Sequence, residues 1–180
     1  MTTFAIAQII GVLGIGCYIA SYQIKTNKSL YIVQGIGCSM FCIQFYLLGA
    51  VTGCISLIIL ITRNILLARY NKWMWVQWKG WVVIFSGFAV LNTVLTWEGI
   101  PSIFPCVGLI AGNIGMWTNN ARSIRISNAF IVSPAYIVYD VIVASWAGVA
   151  NELFTIMSVV VSIKRFGWKT LGDPNSSFQK

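Results

Sequence analysis

Long apolar runs, each closed by a short polar break, recur from one end of the chain to the other. Seven can be delimited, at about residues 4–22, 29–48, 51–70, 80–97, 102–118, 126–145 and 146–166. Runs near 20 residues have the length of a transmembrane helix. The short in–out alternation of a membrane β-barrel is absent. The pattern predicts an all-α integral membrane protein of seven spans. No cleavable signal peptide is predicted, because the first run lacks a basic leader and continues directly into more apolar sequence.

The breaks are of two kinds. Gly49–Ala50 and the turn near Ser145–Ala147 are minimal, whereas Gln23–Lys28, Asn71–Lys79 and Asn119–Arg125 are polar and basic. Pro101 and Pro105 fit the start of span 5, and Pro134 predicts a kink within span 6. Trp73, Trp75 and Trp78 beside Lys72 and Lys79 read as an interfacial anchor. Residues 167–180 are polar and are expected to form a mobile cytoplasmic tail.

Composition supports the pattern. Of 180 residues 58% are hydrophobic and 9% charged, with a mean hydropathy of +0.80; a soluble domain carries about a quarter of its residues as charges. The net charge of +8 does not indicate nucleic-acid binding, because the cations are spread among breaks instead of gathered on one soluble face. With the N-terminus outside, Lys25, Lys28, Arg69, Lys72, Lys79, Arg122, Arg125, Lys164, Arg165, Lys169 and Lys180 all fall inside. Only Arg63 remains, inside span 3 toward its inner end, and no Lys or Arg falls in an outer break. This bias predicts an N-out, C-in topology.

Spacing also shows a repeat. Spans 1–3 and spans 5–7 each have a basic inner break followed by a near-zero outer turn, and span 4 restores the orientation. The expected organisation is a first three-helix bundle over residues 1–70, an interfacial connector with linker span 4 over 71–98, and a second bundle over 99–166. Parallel repeats of this kind are a transporter architecture, with substrate held near the midplane between them.

At this point a resemblance enters. Ala7-Gln8, Gly11, Phe45, Leu47-Leu48-Gly49, Arg63, Arg69, Arg125, Ser145, Gly148, Glu152 and Arg165-Phe166 resemble the YgjV-type bacterial inner-membrane proteins. The 3+1+3 layout resembles the SWEET and PQ-loop transporters and the nicotinamide riboside transporters of the same fold. These resemblances imply a bacterial inner-membrane location and a SWEET-like bundle. The chain departs from the PQ-loop pattern: Tyr22-Gln23 and Trp117-Thr118 stand where Pro-Gln pairs are expected, and spans 1 and 2 contain no proline.

Polar side chains at membrane depth are the candidate chemistry. Gln8, Gln44, Asn92, Asp140 and Glu152 lie roughly four to seven residues below the outer surface, and Arg63, Asn64 and Asn113 lie nearer the inner third. Thr52, Ser56 and Arg63 form one helical stripe, Gly148, Glu152, Thr155 and Ser162 another, and Ser133, Tyr136 and Asp140 a third. Such stripes face a partner or a wet cavity in preference to lipid. The expected substrate-binding set is Arg63, Glu152, Asp140, Gln44, Asn92, Asn113 and Tyr136.

Three readings stand. These residues bind a small polar solute such as a sugar or nucleoside-like molecule. Alternatively, Asp140 or Glu152 carries a proton that couples transport to a gradient. In the third, the charges are structural, with Arg63 pairing with Glu152 or helix-end carbonyls in a non-transport scaffold. The depth offset between Arg63 and Glu152 is about 9 Å. An enzyme is not expected: there is no histidine, no metal-ligand or cofactor motif and no nucleophile with an evident base. The five cysteines lie in apolar runs and read as small buried filler. The bilayer and a small solute are the expected partners, and a monomer suffices.

Overall fold

The interior of this protein is more polar than its surface. In the computed structural model Arg125, Ser133 and Ser162 are fully buried, whereas Val12, Val83, Leu95 and Phe130 are each at least two-thirds exposed. A bundle surrounded by lipid has no reason to hide apolar side chains, but must satisfy its polar groups internally. The model describes residues 3–47, 51–97, 99–142 and 146–179; the side chains of 4, 5, 8, 45, 51–56, 140, 146 and 147 lie outside that description. The expected turns at Gly49–Ala50 and near Ser145–Ala147 lie outside the described residues or at their edge.

The described residues are helical with no strand. The long elements are α1 Thr3–Ser21, α2 Asn27–Leu47, α3 Val51–Leu67, α4 Gly80–Leu95 and α5 Ile103–Trp117. They continue as α6 Ala121–Ser127, α7 Ser133–Ile142, α8 Trp146–Phe166 and the short α9 Trp168–Gly172. Helix α6 begins five residues before the expected span. The Asn120 side chain caps it, accepting from the backbone N–H groups of Arg122 and Ser123, which offsets the unpaired amides of the first turn. A π-helical turn at Asn128–Val132 joins α6 to α7 directly before Pro134. It replaces the simple kink expected from the proline, and such turns absorb an interrupted hydrogen-bond ladder.

Among the described residues one helix, Ile100–Trp117, is long and apolar enough to cross a membrane, with mean hydropathy 1.4 over 18 residues. Ile9–Ser21, Leu57–Leu67 and Gly80–Leu95 are shorter apolar helices.

Helix α2 packs between α1 and α3, as the α6–π–α7 unit packs between α5 and α8. Helix α4 bridges α3 and α5, and α1 meets α8. Glycines set the α1–α2 contact: Gly14 lies against the Phe41 ring, Gly11 against Gln44, and Gly37 against Tyr18. The aromatic connector is only partly an exposed belt. Trp75 and Trp78 are exposed, but Trp81 stacks toward Phe85, and Phe85 toward Trp117 at 5.4 Å. The Trp117 indole donates to the Val76 carbonyl, 2.9 Å away.

The segment after Gly167, expected to trail off as a mobile polar tail, folds back instead. Leu171 and Phe178 are buried, packed with Ala121 and flanked by Ile163 and Phe166. Apolar residues spaced among the polar ones of the tail account for this.

Candidate functional site

Arg63 is the deepest charge on α3. It is 6% exposed, and its Nη1 donates to the Asn113 side-chain oxygen on α5 at 2.9 Å. This contact joins the two three-helix groups. Gly112 lies alongside, and a Cβ there would meet the same nitrogen only in ordinary contact, at 3.8 Å. Among the described residues this is the one hydrogen bond of the guanidinium, and its buried Nε has no partner. Asn92 and Asn113 border one narrow void between α3, α4 and α5, of about 10 Å³. That is room for about one water.

Other polar groups lie on the same interior. Asn64 is buried beside Arg63, and its amide donates weakly to the Cys38 sulfur at 3.8 Å. The Tyr18 hydroxyl meets the same sulfur at 2.9 Å. Cys38 is therefore a link between amide and phenol, not merely apolar filler. Among the described residues the side-chain oxygens of Gln34 on α2, Asn64 on α3 and Ser133 on α7 are buried without hydrogen-bond partners, although buried polar atoms are normally paired.

The remaining expected residues divide. Glu152 is half-buried on α8 and accepts from Asn151 at 3.1 Å. Gln44 is packed into the α1–α2 contact at Gly11, and Tyr136 lies against Gly108 of α5. Both are held in helix crossings. Asp140 falls on α7, but its side chain and that of Gln8 lie outside the described residues.

The end of the bundle where α1 ends and α6 begins carries a second polar assembly, which spacing did not reveal. Arg125 is wholly buried and donates to Ser162 Oγ (2.7 Å), the Ala121 carbonyl (3.1 Å) and the Tyr22 carbonyl (2.9 Å). It ties the end of α1 to α6 and α8, and Phe178 of the tail lies 5.6 Å from the guanidinium. Nearby, the Asn27 amide donates to the Asn119 carbonyl and to Gln179 Oε1. The Asn119 and Asn71 amides donate to the Gln179 carbonyl, and Tyr31 donates to the Met116 carbonyl. Three breaks, at Asn27, Asn71 and Asn119, and the tail therefore converge on Asn119, and the bundle is closed there.

An all-helical bundle with an apolar exterior, a buried arginine layer and an amide-sealed end is of the membrane-protein class. The family model Imp-YgjV, described as bacterial inner membrane protein, matches residues 5–170, and the chain belongs to that family. No curated protein and no solved structure matches the chain.

Proposed function

We propose that the protein is a facilitative transporter of the bacterial inner membrane for a small polar solute, such as a sugar or nucleoside-like molecule. On this reading it has seven spans in two parallel three-helix groups joined by α4. The N-terminus is outside and the C-terminus cytoplasmic. The observation that carries the proposal is Arg63. A buried cation held by a neutral amide is costly, by several kcal/mol on the order of, and a solute offering acceptor oxygens to the guanidinium fork would repay it. Asn64 and Asn113 then orient the solute, and Glu152 supplies the opposing wall. The closed inner end is one half of the transport cycle. Its opening separates Gln179 from Asn119 and Asn71.

A specific observation favours a second reading. The void beside Asn113 holds no more than a water, so Arg63 and Asn113 could serve to lock the two groups together in a non-transporting scaffold. Uptake into proteoliposomes with a panel of sugars, nucleosides and amino acids separates the two. The transporter reading expects at least one solute to enter, and both Arg63→Gln and Glu152→Gln to impair it. Normal transport in both variants overturns the site, and no uptake across the panel favours the scaffold.

A further inference from the structure

Between α2 and α3 runs a groove of about 890 Å³ whose two ends differ in chemistry. At its inner end stand Lys28, at the start of α2, and Arg69 and Lys72, just beyond the end of α3. All three are exposed. Arg69 is steadied against the Trp73 ring, 5.1 Å away, and none of the three has a carboxylate partner among the described residues. Further along, the wall is formed by Ile32, Ile36 and Ile65, exposed at 45%, 45% and 59%. From Lys28 to Ser39 the groove follows α2 for about 16 Å at the helical rise. Half of a hydrocarbon core is about 15 Å thick. A cationic mouth above a single-leaflet apolar slot fits an amphiphile with an anionic head, and not a soluble anion.

We propose that this groove binds one anionic phospholipid of the inner leaflet. Its phosphate lies among Lys28, Arg69 and Lys72, and one acyl chain lies along Ile32, Ile36 and Ile65. Basic pockets between helices on the cytoplasmic side hold lipid headgroups by such charge complementarity. The groove shares Asn64 with the interior around Arg63 and Asn119 with the closed end, but its cations and exposed isoleucines belong to neither, so it rests on the proposed orientation and not on solute transport.

Native mass spectrometry of the full-length protein, titrated with phosphatidylglycerol or phosphatidylcholine, tests it. The wild type should retain phosphatidylglycerol in preference. Replacing Lys28, Arg69 and Lys72 together by Gln should erase the preference, at about fivefold in affinity per cation. The three side chains are exposed, so these variants should fold, with helicity checked by circular dichroism. Lys164→Gln/Arg165→Gln/Lys169→Gln removes equal charge elsewhere and should leave the preference intact. Ser39→Trp, which fills the slot, should lower retention of phosphatidylglycerol without changing charge. The proposal is overturned if the groove triple variant keeps the preference or the distant triple variant loses as much. It is also overturned if Ser39→Trp abolishes a lipid-insensitive dimer, which would assign the groove to a second copy.

Discussion

Arg125→Met removes the guanidinium that ties α1 to α6 and α8 and leaves a shorter, unbranched apolar stem. Three short hydrogen bonds disappear, to Ser162 Oγ, the Ala121 carbonyl and the Tyr22 carbonyl, together with a long one of 3.5 Å to the Ile24 carbonyl that adds little. Bonds from a charged donor contribute about 1.5–3 kcal/mol each, so the gross loss is about 4.5–9 kcal/mol. Against this, methionine no longer needs a guanidinium stripped of water, which recovers several kcal/mol, on the order of half the loss. The Tyr22 carbonyl closes the α1 end and is left without this donor, so the balance stays unfavourable, at about 3 kcal/mol. For a chain of this length that lowers the unfolding midpoint by about 6–12 °C, read by tryptophan fluorescence or circular dichroism in detergent. Arg125→Lys should fall between, because an ammonium reaches some of these acceptors but lacks the fork. A methionine variant within about 2 °C of wild type, or a lysine variant less stable than methionine, would refute the reasoning.

Other expectations follow from particular contacts. Phe178→Ala should free the tail from Phe166, which it meets edge-on at 5.0 Å, and limited trypsinolysis near Lys169 should accelerate while the remaining bundle stays folded. Gly115→Ala should destabilise by about 1–3 kcal/mol, because the new Cβ would come 2.5 Å from the Ser127 Cβ. Gly16→Ala, with nothing within 4 Å, should unfold at the wild-type midpoint or slightly above it; equal midpoints for the two variants would discredit the α5–α6 crossing. Topology is read by reporters fused at each end: a C-terminal green fluorescent protein should fluoresce in the cytoplasm and an N-terminal alkaline phosphatase should be active outside. The reverse pair contradicts the orientation read from the loop cations.

Much of the helical layout was legible because apolar run length is a local property. The sequence reading of residues 146–166 as a span coincides with α8 Trp146–Phe166, and the 80–97 reading overshoots α4 by two residues, since α4 ends at Leu95. The Thr155–Ser162 stripe was also visible, and both residues are buried. What it faces was not. Its partner Arg125 reads in sequence as one more loop cation, and only the meeting of α1, α6 and α8 makes it a core residue. Arg63 stood out in the sequence as a charge within an apolar run, and its hydrogen-bond partner among the described residues is Asn113, where the structural reading had named Glu152 or helix-end carbonyls. A neutral amide carries no sequence signal that would mark it as an arginine's partner. The role of Gln179 was hidden for a related reason: a polar C-terminal stretch looks disordered until Leu171 and Phe178 find a surface to bury against.

The central claim is that the interior around Arg63 is a solute site. The most direct measurement is the thermal midpoint of the detergent-solubilised protein across the same solute panel. A ligand at a hundred times its dissociation constant stabilises the folded state by about 2.7 kcal/mol. The account predicts a raised midpoint for the wild type with at least one solute, and no rise with that solute for a folded Arg63→Gln variant. An equal rise in both proteins would contradict it.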